Sequence, residues 1–178
     1  MLEVKKTTPI TTPTRLKILV LGHGGHGKGT FCKLMQLYFG LRSLSSSKAA
    51  WPYIWPSFDE ATDHRYPTPM EGYRHRAKHR MLLKELILLL NCPDKTTLTK
   101  IILNNAPIYD GMRSFEEYVA SESYFDIIYW IDASNRVPLD KSMEICRPDK
   151  AVVVDNNGPE EIMRQTVATW TRVFPRLK

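Results

Sequence analysis

Nine consecutive residues, Gly22-His23-Gly24-Gly25-His26-Gly27-Lys28-Gly29-Thr30, combine five glycines with a lysine and a hydroxyl. They follow a short apolar run, Leu16 to Leu21, which reads as a buried strand. They precede Phe31, Leu34, Met35 and Tyr38, spaced i, i+3, i+4, i+7 on one face of a helix. Strand, glycines, lysine and helix, in that order, are what a phosphate-binding loop requires. Glycines take left-handed backbone angles and let the main chain come close to phosphate oxygens. Their N–H groups form a concave anion nest, which the helix N-terminus completes. Lys28 adds a mobile point charge suited to the β- and γ-phosphates of ATP, and Thr30 offers a hydroxyl to phosphate or Mg²⁺. His23 and His26 either contact phosphate or face solvent. The competing explanation, a chance glycine turn after a strand, accounts poorly for the agreement of loop, lysine and both flanking elements.

Other residues of chemical interest lie farther along. Asp110-Gly111-Met112-Arg113 closes a short strand, where Asp110 orients a nucleophile or Mg²⁺, or simply caps the turn. Asp132 ends a second apolar strand, a position from which a carboxylate binds Mg²⁺ through water or caps the next turn. Between His64 and Lys84 stand Arg65, Arg74, Arg76, Lys78, Arg80 and Lys84, against the single acid Glu71. Arg76, Arg80 and Lys84 repeat every four residues and share a helix face. That face, with Arg74, is a basic wall for an acceptor nucleotide or a DNA backbone, or an ordinary solvated surface. Trp51, Tyr53, Trp55 and Phe58 lie just upstream and either stack on an extruded base or pack in a core. Arg136 and Arg147 flank a short segment, as acceptor or phosphoryl contacts or as surface arginines.

The elements that position these residues alternate between strand and helix. Residues 1–14, rich in Thr and Pro without a period, read as a disordered tail, and 15–178 as a single domain. Residues 40–70 resist assignment, and Pro52, Pro56, Pro67 and Pro69 argue against long regular elements there. Helices are expected over 72–91, 96–103, 114–120 and 159–173, with Ser114 and Glu117 at capping-box spacing. Strands are expected near 106–109, 125–131 and 151–154. Alternation of this kind implies an α/β fold, a parallel sheet flanked by helices on both faces.

Bulk properties narrow the function classes. The apolar fraction is ordinary, and no apolar run approaches the length needed to span a bilayer. The N-terminus lacks the apolar core of a secretory signal, so a cytoplasmic protein is expected. Cys32, Cys92 and Cys146 form no CxxC pair and read as small apolar fillers rather than disulfides or zinc ligands. A net charge of +6 with pI near 9.2 suits polyanionic partners, nucleic acid among them.

The Gly-Lys-Gly-Thr form of the loop resembles that of adenylate kinase and other nucleoside monophosphate kinases. The Asp110–Arg113 stretch is similar to their Asp-Gly-x-x-Arg, but one residue shorter. Five segments together look like bacteriophage P-loop kinases: Gly22–Thr30, Tyr73–Arg76, Tyr109–Arg113, Trp130–Ser134 and Val154–Gly158. That resemblance covers most of residues 16–172. Such kinases are commonly described as deoxynucleoside monophosphate kinases, and a related group phosphorylates 5-hydroxymethyluracil within DNA. The Asp-Asn-Asn-Gly ending is also similar to dephospho-coenzyme A kinase. The resemblance implies a P-loop NTPase of nucleoside monophosphate kinase type that uses ATP and Mg²⁺. It implies that Lys28, Arg113 and Asp110 act on the transferring group, that Thr30 and Asp132 serve the metal, and that Arg74, Arg76, Arg80 and Arg136 meet the acceptor. The acceptor is either a modified pyrimidine in DNA or a free deoxynucleoside monophosphate. Asp59 and Asp63 stand behind Asp110 as further candidate bases. A non-catalytic nucleotide-binding or DNA-binding module is the third reading.

Overall fold

The computed structural model describes residues 16–173. The expected tail at residues 1–14 lies outside them. Five strands form one parallel sheet in the order β2-β3-β1-β4-β5: β1 (Ile18–Leu21), β2 (Ser43–Ser45), β3 (Ile108–Asp110), β4 (Ile127–Asp132) and β5 (Val152–Asp155). β1 is central and buried at every residue, as its unbroken apolar run requires. Its side chains alternate between two cores. Leu19 and Leu21 enter a cluster with Trp51, Phe58, Leu98, Ile102 and Trp130. Ile18 and Val20 enter the opposite cluster with Phe31, Met35, Tyr129 and Val167.

Among the described residues, seven α-helices cover the two faces: α1 (Lys28–Phe39), α2 (Ser46–Ala61), α3 (Pro69–His75), α4 (Arg80–Leu90), α5 (Thr97–Asn105), α6 (Phe115–Ser121) and α7 (Glu160–Val173). α1 stops at Gly40, whose φ of 68° provides the left-handed C-terminal residue and whose N–H donates to Gln36 O at 3.0 Å. The expected helix over 72–91 is broken into α3, a 3-10 turn at Arg76–His79, and α4. Thr68 caps α3 by accepting from the Glu71 N–H at 3.2 Å.

Two readings of the sequence are corrected here. Residues 40–70 contain β2 and the 16-residue helix α2, with Pro52 and Pro56 inside it. Both prolines lie on the exposed face, so each removes one main-chain hydrogen bond on the solvent side. A proline inside a helix costs about 3 kcal/mol. Burying a large apolar side chain returns roughly 1.5–3 kcal/mol each. Trp51, Ile54 and Phe58, at i, i+3 and i+7, are all buried and offset that cost. The cysteines are also not all fillers: Cys32 is buried, but Cys92 and Cys146 are exposed.

A buried polar network lies under the sheet edge. Ser114 caps α6 by accepting from the Glu117 N–H, but the Glu117 side chain turns inward instead of completing a capping box. Its Oε1 accepts from Tyr109 Oη at 2.8 Å and from Thr99 Oγ1 at 3.4 Å. Burial pushes the Glu117 carboxyl up to about 7, against the opposing pull of those hydrogen bonds. The folded protein therefore holds a proton that the unfolded chain loses above its ordinary value of 4.5. The associated stability is full below that value and is lost as pH rises through about 7, to a limit of roughly 3 kcal/mol. Glu117→Gln, neutral at every pH, should flatten the fall in melting temperature between about pH 5 and pH 8. An identical slope in wild type and variant would show that Glu117 does not carry this proton.

Candidate functional site

The chain reverses direction around β1: it leaves for β2 at one edge, returns to β3, then crosses to β4 and β5. In open parallel sheets ligands bind at such a reversal, beyond the carboxyl ends of the strands. The glycine loop 22–27 sits there, and β3, β4 and β5 end beside it in Asp110, Asp132 and Asp155.

Backbone geometry explains the composition of the loop. Gly22 has φ 138°, and a Cβ on it would come within 2.5 Å of the Ile131 carbonyl oxygen. Gly27, with φ 96°, is the N-terminal cap residue of α1, and a Cβ there would collide with the Asn156 amide. α1 has no acidic residue in its first turn, so the N–H groups and dipole at that end remain available to an anion.

The two histidines brace the loop from within. His26 is fully buried, so the solvent-facing alternative does not hold for it. Its Nδ1 accepts from the Ala133 N–H at 3.0 Å, and its Nε2–H donates to Val137 O at 3.3 Å. Burial lowers its pKa, consistent with that neutral tautomer. With both ring nitrogens engaged, any phosphate contact from His26 falls to its main chain. His23 Nδ1 accepts from the Asp140 N–H at 3.1 Å, and its ring meets the edge of Trp130. Asn156, part of the Asp-Asn-Asn-Gly stretch, donates from Nδ2 to His26 O at 2.8 Å and from its main chain to Asp132 O at 2.7 Å. The loop is thereby tied to the ends of β4 and β5.

Lys28 folds back over the loop and donates from Nζ to Gly22 O at 2.8 Å and His23 O at 2.9 Å. Burial lowers its pKa, partly offset by the carboxylate of Asp110. Asp110 faces it from the end of β3, and its buried Oδ1 has no hydrogen-bond partner among the described residues. Burial raises the Asp110 pKa, while Lys28 and Arg113 oppose the rise. Gly111, at φ 93°, turns the chain sharply after Asp110 and brings Arg113 into the same space.

Lys28, Asp110 and Arg113 line a cleft of about 410 Å³, with Arg76, Arg80 and Lys84 on its far wall and Leu83 and Ile87 beside them. The cations are largely matched. Arg113 Nη1 donates to Asp140 Oδ2 at 2.7 Å, Arg80 Nη1 lies 3.6 Å from the same oxygen, and Lys84 pairs with Glu144. Arg76 has no carboxylate partner among the described residues; it lies 3.8 Å over the Tyr73 ring and donates to Tyr73 O at 2.7 Å.

Other residues singled out from the sequence lie elsewhere. Arg74 is exposed and does not line the cleft. Arg136 is on the opposite flank, where its Nε donates to Asn156 O. Asp132 caps its own turn, with Oδ1 accepting from the Ser134 N–H at 3.0 Å, a bond that lowers its pKa. Thr30 is half-buried in the first turn of α1. His64 Nδ1 bonds to the Asp59 carboxylate at 2.8 Å, and neither Asp59 nor Asp63 lines the cleft. Of the aromatic cluster, Trp51 and Phe58 are core and Trp55 packs against it, which removes these three as a base-stacking platform. Trp51 packs on Phe58 at 4.9 Å between ring centroids and donates from Nε1 to Pro69 O at 2.9 Å. Tyr53 is exposed.

Asp140, Asn156 and Glu117 were not singled out as site residues from the sequence. Asp140 lies in irregular chain with no motif around it. Asn156 is visible only through the Asp-Asn-Asn-Gly stretch, and Glu117 only through its capping-box spacing.

No protein-family profile matches the chain, and neither does any curated protein. Among solved structures, the unliganded crystal structure of a sugar kinase from Janibacter sp. HTCC2649 is similar to it with a TM-score of 0.43 and 16% sequence identity. That match covers 91% of this chain and 97% of the other. The α/β assignment rests on the parallel register and strand order themselves.

Proposed function

We propose that the protein is an ATP-dependent P-loop kinase whose acceptor is a nucleotide, best the 5-hydroxymethyl group of 5-hydroxymethyluracil in DNA. The observation that carries the reading is the convergence of Lys28, Asp110 and Arg113 in one cleft beside the glycine loop. The loop amides and Lys28 would hold the triphosphate, and Arg113 would meet charge developing on the transferring group. Mg²⁺, when bound, supplies charge neutralisation across the β- and γ-phosphates. The Thr30 hydroxyl would serve such an ion and Asp132 would reach it only through water; the unpartnered, buried Asp110 Oδ1 would fit it too, as the alternative to the proton-accepting role argued next.

An acceptor hydroxyl needs a proton acceptor, and Asp110, facing Lys28, is the carboxylate placed for that role. The cleft volume is that of a single nucleotide or extruded base. The charge balance bears on which. Arg76, which has no carboxylate partner among the described residues, suits one singly charged phosphodiester. A free monophosphate, carrying two charges, would need a further cation, such as Arg80 or Arg113 released from Asp140. It remains the second reading, supported by the arginines that ring the cleft.

The test is to offer γ-phosphate-labelled ATP with free deoxynucleoside monophosphates and with DNA containing 5-hydroxymethyluracil, and to follow the label. A binding measurement complements it. Arg76→Ala should weaken DNA binding and lower the slope of log K against log salt by about one unit. ATP affinity should change little. Wild-type DNA affinity and salt slope in the variant would make that wall a solvated surface only.

A further inference from the structure

Residues 133–151, between β4 and β5, contain no helix or strand and lie against the cleft. Asp140 in this segment is only 11% exposed and gathers more partners than a surface acid does. Oδ2 accepts from Arg113 Nη1 at 2.7 Å and lies 3.6 Å from Arg80 Nη1. Oδ1 accepts from the Ser142 N–H at 3.0 Å and the Ser142 hydroxyl at 2.7 Å. Its own N–H donates to His23 Nδ1 of the glycine loop at 3.1 Å. The carboxylate sits directly over Gly24, where a Cβ would collide with Oδ2.

A carboxylate oxygen held by one guanidinium N–H, with a second guanidinium close by, above a bare glycine backbone has the surroundings of a phosphate oxygen. Burial disfavours the ionised form of Asp140, but hydrogen bonds from Arg113 and Ser142 outweigh it and hold the carboxyl well below the usual range. It is therefore an anion throughout the working pH range.

We propose that Asp140 is a positioning residue that occupies the place of a phosphate on Arg113 and Arg80, and yields both arginines to the phosphates of an entering nucleotide. This rests on the kinase reading of the loop. Carboxylate and phosphate compete for the same N–H donors, so the arginines are held spread toward the loop at the expense of triphosphate affinity. The His23 tether keeps the carboxylate at the loop, and the bonds to Ser142 keep its second oxygen occupied during the exchange.

The competition has a sign that a purely structural role would not produce. Asp140→Asn keeps the shape and the capacity to accept from Ser142 but removes the charge. Titration of the full-length chain with sodium tripolyphosphate and with ATP should give binding about tenfold tighter than wild type at low salt, shrinking as salt is added. In an Arg113→Ala background the same substitution should give less than about half of that gain on a logarithmic scale, because the released donor is missing. Asp140→Ser provides a second uncharged variant should the asparagine fail to fold. Equal or weaker binding by folded, uncharged variants would overturn the inference while leaving the kinase reading intact. No binding of either ligand by wild type or variants would overturn both.

Discussion

Lys28→Ala should abolish phosphoryl transfer, by at least about 10³-fold, with the melting temperature close to wild type. Two features set that expectation. The ammonium is placed by the loop itself, through the carbonyls of Gly22 and His23, at the mouth of the cleft that holds Asp110 and Arg113. Removing it takes away a mobile charge that can follow phosphate charge as it shifts from the γ- to the β-position. Folding, in contrast, gains little from Lys28. Burial lowers its pKa, the mark of a cation whose desolvation is not fully repaid by its neighbours. The loop keeps its course without it because His26 and Asn156 fasten it to the ends of β4 and β5. Lys28→Met, which retains the stem, separates charge from packing. Turnover near wild type in either variant, with ATP bound as before, would end the kinase reading. An unfolded Lys28→Met variant would instead show that the lysine supports the fold.

The fold was legible wherever burial dictated the residue pattern. β1 and β4 are buried in the sheet and announce themselves as apolar runs. β2 is three residues long, Ser-Leu-Ser, at the sheet edge, and carries no such signal. α2 was hidden by its prolines. A local rule against proline in helices lost to the burial of Trp51, Ile54 and Phe58, which only the surrounding packing reveals. That packing also decided the fate of Trp51 and Phe58, since side chains facing a core cannot stack on a base.

The site was legible in its backbone-determined part and obscure elsewhere. Gly22 and Gly27 are dictated by positive φ and by the close approach of Ile131 and Asn156, so composition and order suffice to mark the loop. Asp110 and Arg113 stand at a strand end beside a glycine and could be picked out as well. Asp140 could not, because its importance comes from a contact 27 residues away in sequence with Arg113. His26 was misjudged in part for a similar reason: its partners Ala133 and Val137 lie just beyond the end of β4, more than a hundred residues away in sequence. Arg76, Arg80 and Lys84, the four-residue repeat read from the sequence, all line the cleft, whereas Arg74, two residues off that repeat, is exposed away from it.

Label from γ-phosphate-labelled ATP should enter DNA carrying 5-hydroxymethyluracil and not unmodified DNA, and Asp110→Asn should slow that transfer by about 10²–10⁴-fold, the range for losing a positioned base. The hydroxymethyl oxygen is neutral and must lose its proton as the new bond to phosphorus forms. Asp110 must be ionised to accept that proton. Burial raises its pKa, so the acid limb of the rate profile should lie above the ordinary carboxylate range, with activity falling as pH drops through it. Asparagine cannot accept the proton, and the acid limb should disappear with most of the rate. A metal-holding role for Asp110 gives a different pattern, in which the variant needs more Mg²⁺ and recovers at high concentration. The second reading makes the opposite prediction about the acceptor. A monophosphate is already ionised, so the free nucleotide would be phosphorylated rapidly, and Asp110→Asn would act through geometry alone with the acid limb unmoved. Diphosphate formed from free deoxynucleotides, with no label in the modified polymer, would sink the DNA-kinase reading and leave the monophosphate kinase in its place.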